Sequence, residues 1–261
     1  MNDKSVRDTS LWTSLVFNPG VTDVQKDAVR TAHHVVVAPN ERIMSASVSY
    51  ILEEKYGFAR AAREERPVDA DGRPIPLYSY PTLHYLDGLD CSTSDIFEFG
   101  AGHSTLWWAE RARSVTSAET DDGWARHLRG KLPENTTIVQ VAEHDLVRSL
   151  RDQEKSFDVI VVDCAANRYL AAAAALTVCL HPSSFFSTIA RWYPNTADML
   201  RRADLLEIDF AGFKPTQSST AITSLFLRSA FRPRPRNAMH PPPPLGGKNR
   251  PARKWDDPTQ Q

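Results

Sequence analysis

Between residues 95 and 228 the chain alternates short apolar runs with amphipathic stretches. Asp95–Phe99, Ser114–Glu119, 136–141, 157–162 and 184–189 read as strands, while 104–113, 122–131, 146–153 and 169–180 read as the helices between them. Each helix returns the chain to begin another strand in the same direction, so the sheet is expected to be parallel. The run from Phe157 to Val162 is almost continuously apolar, as a strand covered on both faces requires. After a short helix at 197–203, segments 205–210 and 222–228 are joined by a short loop and should pair antiparallel.

The flanks follow other patterns. A helix is expected at 22–37, begun by Asp23 and ended by Pro39, and a second at 43–63, where Ile43, Ala46, Val48, Ile51, Leu52, Tyr56 and Ala59 form an apolar face. Neither helix can bury that face alone. They form either a layer packed on the core or a lid that closes over a ligand and contributes aromatic groups. The turn-rich stretch 67–76 leads into 77–86, which places three tyrosines and His84 just before the first core strand. Beyond Ser229 come Arg-Pro-Arg-Pro-Arg236 and four consecutive prolines, a composition that builds no core. The expected division is therefore a helical cap at 1–80, an α/β domain at 81–230 and a disordered Pro/Arg-rich tail at 231–261.

Composition narrows the classes. A net charge of −1 over 261 residues argues against a general nucleic-acid or membrane-surface role, and no apolar run approaches the length that crosses a bilayer. A cytoplasmic protein without nucleic-acid or membrane partners is the expectation, and oligomeric state is unknown at this level. Cys91, Cys164 and Cys179 are odd in number and lack Cys-x-x-Cys spacing, so neither a disulfide framework nor a structural zinc site is indicated. Glu143, His144 and Asp145 are adjacent, but successive residues at a helix start diverge, which disfavours a metal set.

The chemistry gathers around 95–105. An apolar strand, a Gly-x-Gly turn at Gly100 and Gly102, and an abrupt helical pattern form the first strand–loop–helix unit of a nucleotide-binding α/β domain. Glycines there let a ligand lie against the main chain, and Ser104 and Thr105 add hydroxyls at the helix start. Glu119, about 20 residues further on, closes the second strand where such folds hold a ribose. Asp163 closes the fourth strand at the same edge of the sheet.

The motifs Glu98-Phe-Gly-Ala-Gly-His-Ser-Thr105, Glu119 and Phe157-Asp-Val-Ile-Val-Val-Asp163 resemble those of class I S-adenosylmethionine (SAM)-dependent methyltransferases over roughly 80–228. A subgroup of small bacterial methyltransferase-like proteins is similar in addition through Tyr78-Ser-Tyr-Pro81, Ser104-Thr-Leu-Trp-Trp108 and Ile208-Asp-Phe-Ala-Gly-Phe213. The resemblance implies a Rossmann-like fold, with a mostly parallel seven-stranded sheet ending in an antiparallel hairpin beneath an N-terminal helical cap. It implies SAM as cosubstrate, held by Glu98, Gly100, Gly102, Ser104, Thr105, Glu119, Glu143 near the adenine, Asp163 near the sulfonium, and Tyr78 beside the methionine end. Tyr80, His84 and Asn167 are the catalytic candidates, with His103 inside the glycine loop as a further general base.

The loop 164–168 departs from the subgroup's Asp-Gly-x-x-Arg arrangement where an acceptor would sit. Three readings stand. One is a methyltransferase acting on a small molecule. Another is a cyclase of the same fold that converts SAM itself to azetidine-2-carboxylic acid and methylthioadenosine. The third is a non-catalytic SAM-binding or interaction protein. A nicotinamide dehydrogenase fits less well, because Thr105 stands where the third glycine would be.

Overall fold

A computed structural model describes residues 39–164, 167–178, 185–188, 193–237 and 244–245, with only the backbone described for 39–44 and 185–188. The helix expected at 22–37 lies outside these residues, as do Cys179 and most of the tail. Helix α1 (Pro39–Tyr50) continues into a π-helical turn at Ile51–Lys55, and α2 spans Phe58–Glu64. Helix α3 (Tyr80–Asp87) precedes β1 (Asp95–Phe99), α4 (His103–Ala109) and β2 (Ser114–Glu119). Then come α5 (Asp122–Arg129), β3 (Thr136–Gln140), a 3-10 turn at Glu143–Asp145 and α6 (Leu146–Arg151). Strand β4 (Val159–Val162), α7 (Arg168–Val178), β5 (Phe185–Thr188) and α8 (Pro194–Arg202) lead to β6 (Leu205–Phe213) and β7 (Thr220–Arg228).

The sheet runs in the order β3-β2-β1-β4-β5-β7-β6. Strands β3, β2, β1, β4 and β5 are parallel neighbours, and β7 runs antiparallel between β5 and β6. This is the Rossmann-like order with a terminal hairpin that the resemblance implies. Both faces are covered. In β4, Ile160 and Val162 join a core with Phe97, Phe99, Leu146, Leu150, Ala171, Ala175 and Leu200. Val159 and Val161 turn the other way, into a core with Ile96, Leu83, Leu86, Trp107, Trp108 and Leu225. Strand side chains alternate sides, so a strand buried on both faces must be apolar throughout.

The register matters for function. Phe99 pairs with Ala118 on one side and with Val162 on the other, so the residues that follow β1, β2 and β4 emerge side by side. The chain order reverses between β1 and β4, and the crevice beyond strand ends at such a point is where open α/β sheets bind ligands.

The cap differs from its sequence reading. Pro39 begins a helix rather than ending one, and the expected 43–63 helix is broken at Gly57. Gly57 has φ +74°, and an added Cβ would lie 2.3 Å from Ala70 N and from Asp69 C, so only glycine lets the chain turn there. Residues 67–75 close a hairpin, with Val68 bridged to Pro74 and the Ile75 N–H donating to Pro67 O at 3.0 Å. The entry to α3 is fastened to the terminal hairpin: the Ser79 hydroxyl donates to Phe210 O at 2.8 Å, and the Ser79 N–H donates to Thr223 Oγ1 at 3.0 Å.

The tail is corrected at its start. Residues 232–237 are docked rather than loose, because Leu89 and Pro235 form an antiparallel bridge flanked by Asp90 N–H to Arg234 O (2.8 Å) and Arg236 N–H to Gly88 O (3.0 Å). Among the described residues no helix is long and apolar enough to cross a membrane.

Candidate ligand-binding site

A cavity of about 630 Å³ lies beyond the carboxyl ends of β1, β2 and β4. Its floor is the glycine loop, with Gly100, Gly102, His103 and Ser104; Glu119, Glu143 and Asp163 stand around it, and the cap closes one side with Glu65, Arg66, Pro67 and Leu77. The cap therefore walls the cavity, as a lid would. Its aromatic residues do not: Tyr56 and Phe58 pack on Tyr80, and Phe58 also packs on Phe213.

The two glycines have different reasons. Gly100 has φ +99°, where other residues are strained, and an added Cβ would press on Asp163 O at 3.3 Å. Gly102 is extended (φ 179°), a conformation open to any residue, and an added Cβ would meet nothing within 4 Å. Its lack of a side chain leaves space at the cavity floor, so its role is room rather than conformation.

Glu119 organises the loop. Its Oε2 accepts the Ala101 N–H at 3.0 Å, and its Oε1 accepts the N–H groups of Thr120 (2.7 Å) and Asp121 (2.8 Å). A carboxylate oxygen accepts two hydrogen bonds, so Oε2 keeps capacity for one more donor facing the cavity. Asp121 caps α5 by accepting the Trp124 N–H at 2.7 Å, and the Trp124 indole N–H donates to Ala101 O at 2.8 Å. Trp124 and Glu119 thus hold the two backbone groups of the same loop residue, Ala101. Sequence reading missed Trp124, although Asp121 three residues earlier was a capping signal.

Beneath the loop runs a buried polar chain. The Gly102 N–H donates to Thr105 Oγ1 (3.0 Å), Thr105 Oγ1 lies 3.3 Å from Ser117 Oγ, and Ser117 Oγ donates to Glu98 Oε2 at 2.8 Å. Thr105 is fully buried, so its hydroxyl braces the loop instead of facing a ligand; Ser104 reaches the cavity. Glu98 is fully buried, and its Oε1 has no hydrogen-bond partner among the described residues. Burial pushes its carboxyl up to about 7, against the hydroxyls of Thr105, Ser117 and Ser104 and with the Asp163 charge adding to the push.

Asp163 faces the cavity with 37% of its side chain exposed, while Arg168 Nη2 donates to its Oδ1 at 3.3 Å. The dense protein around it raises its carboxyl, and Arg168 and Lys214 pull it back. Arg168 itself is buried, donates to Val162 O and lies 4.3 Å from the Tyr193 ring centroid. Arg168 is thus a brace for the end of β4. Cys164 is buried in the wall, its thiol pushed up to about 11 by burial, which leaves it unreactive as a thiolate.

Among the base candidates only His103 lines this cavity. Burial, with Arg66 and Lys131 nearby, pulls its imidazole below the ordinary 6.5 and keeps it neutral. Tyr80 and His84 line a different cavity, between the cap, α3 and α4, and Tyr78 is buried in the core beneath them. The reason is the helix at Tyr80–Asp87, which folds this segment against the sheet rather than across the crevice. Asn167, in the left-handed region at φ +57°, donates to Glu143 O at 3.3 Å and lines a surface depression with Glu143. It holds the turn at Glu143 and does not line the main cavity. Among the described residues no group of three or more His, Cys, Asp or Glu side chains could hold a metal ion.

No family model and no curated protein matches the chain. Solved structures similar to it include a precorrin-6y C5,15-methyltransferase from Geobacter metallireducens, at 9% identity over 64% of this chain and 96% of that one, TM-score 0.49. A protein assigned as an O-methyltransferase from Klebsiella pneumoniae is 16% identical over 77% of this chain and 96% of that one, TM-score 0.49. The N-methyltransferase NodS from Bradyrhizobium japonicum is 14% identical over 56% of this chain and 89% of that one, TM-score 0.41. Likenesses this distant carry no argument about the reaction.

Proposed function

We propose that the chain is a SAM-dependent methyltransferase acting on a small molecule. The observation that carries this is the convergence of three acidic groups from the ends of three strands, Glu119, Glu143 and Asp163, on one glycine-floored cavity. SAM presents an adenosine, an ammonium, a carboxylate and a sulfonium, and a predominantly acidic ring suits its two cationic centres and its ribose hydroxyls. The free acceptor capacity of Glu119 Oε2 and the open space over Gly102 both fit such a molecule.

SAM supplies an electrophilic methyl group. The chain's part is to hold the acceptor in line, exclude water beneath the cap segment Glu65–Pro67, and receive the acceptor's proton on the neutral imidazole of His103. Positioning and water exclusion can supply most of the rate in such a displacement.

The test is incubation of the protein with SAM alone and then with pools of small hydroxyl and amine acceptors, with products read by mass spectrometry. Methylated acceptor and S-adenosylhomocysteine are expected. Methylthioadenosine with a cyclic amino acid from SAM alone would replace this reading with the cyclase. Binding of SAM without turnover of any acceptor would leave a SAM-binding protein.

A further inference from the structure

The second cavity, of about 380 Å³, shares no lining residue with the first among the described residues. The rings of Tyr56, Tyr80 and Trp107, with Ile75, Leu83 and Leu245, form its apolar surface, and Lys55, Arg73, Arg111 and Arg236 bring cations to it, Arg73 being held by Asp69 and Asp71. Two of those cations lean on a single oxygen: Asp87 Oδ1 accepts from Arg111 Nη2 at 2.8 Å and from Arg236 Nη1 at 3.1 Å. Arg111 also reaches Glu110 at 3.2 Å. Lys55 has no carboxylate partner among the described residues, its ammonium lying 5.2 Å from the Tyr50 ring centroid. The cations on this cavity thus outnumber the carboxylates that face it, Asp69 and Asp87.

A second observation points to a ligand. The Tyr80 residue is 3% exposed, and its hydroxyl oxygen is buried without a hydrogen-bond partner among the described residues. A buried hydroxyl left in that state is destabilising, and phenylalanine would fill the same volume at no such cost. A tyrosine kept there is explained by a polar group that arrives from the cavity.

We propose that this cavity is a binding site for a small aromatic carboxylate. The ring lies among Tyr56, Tyr80 and Trp107, the carboxylate meets the excess positive charge of Arg236 and Lys55, and a polar ring substituent pairs with the Tyr80 hydroxyl. The site does not depend on the reaction proposed for the first cavity.

The probe is 4-hydroxybenzoate, titrated into the full chain by calorimetry. One-to-one binding is expected, weakened about tenfold or more in Arg236→Glu, as the loss of a charge-assisted contact implies. Tyr80→Phe should unfold at a higher temperature than the native chain yet bind the probe more weakly, a split that a purely structural tyrosine would not give. Glu119→Ala, in the first cavity, should leave the affinity unchanged. Absence of binding, binding indifferent to Arg236→Glu, or binding lost in Glu119→Ala would each overturn the proposal.

Discussion

Glu119 Oε2 and the Ala101 N–H, 3.0 Å apart, join the end of β2 to the middle of the glycine loop. One carboxylate therefore both shapes the loop and offers its remaining lone pair to a ligand. Glu119→Ala is expected to weaken SAM binding about ten- to a hundredfold and to lower stability by about 1–2 kcal/mol. Calorimetric titration with SAM and urea denaturation would check the two effects separately. An affinity unchanged beside a lost stability would restrict Glu119 to the loop.

The buried Glu98 predicts a pH-dependent stability. Its folded-state value of about 7 lies above the ordinary 4.5, so the native chain binds the extra proton between those values. Stability from this group is full below pH 4.5 and declines as pH rises to about 7, a loss of about 3 kcal/mol. Glu98→Gln should remove that slope. Denaturation midpoints of the native chain and the variant from pH 5 to pH 8 would show it, and parallel curves would refute it.

Gly57 and Gly102 should respond oppositely to alanine. Gly57→Ala puts a Cβ into the backbone at Asp69–Ala70 at a positive φ, and a loss of about 3 kcal/mol is expected. Gly102→Ala meets no neighbour, so the fold should tolerate it while SAM affinity falls. Thermal unfolding and SAM titration of the two variants would separate conformation from room.

His103 should carry the proton transfer. His103→Ala is expected to lower kcat by about 10² to 10⁴ with little change in SAM affinity. Because burial pulls the imidazole below 6.5, the acid limb of the native kcat/KM profile should lie below that pH. A limb above pH 6.5, or full activity in the variant, would remove His103 from the mechanism.

Strand pattern and glycine spacing made the sheet legible, because strands covered on both faces have to be apolar and each connection has one favoured hand. Glu119 and Asp163 were legible for a related reason: they close strands whose ends the register brings together. Tyr78, Tyr80 and His84 were misplaced because a run of aromatics reads alike whether it faces a ligand or a core, and only the helix at Tyr80–Asp87 decides. Ser117 and Trp124 were missed because each acts through a contact far from its sequence neighbours, with Glu98 and with Ala101. The break at Gly57 depends on the approach of residues 69–70, which helical periodicity does not record. The docking of 232–237 depends on backbone pairing with 88–90, which composition does not record.

The hairpin at 67–75 adds a thermodynamic constraint. Pro67 stands at one cavity, while Asp69, Arg73 and Ile75 stand at the other. Any molecule that moves this hairpin by settling on one side moves a wall of the other. Linkage then requires the two affinities to change by the same factor in both directions, whichever molecule arrives first.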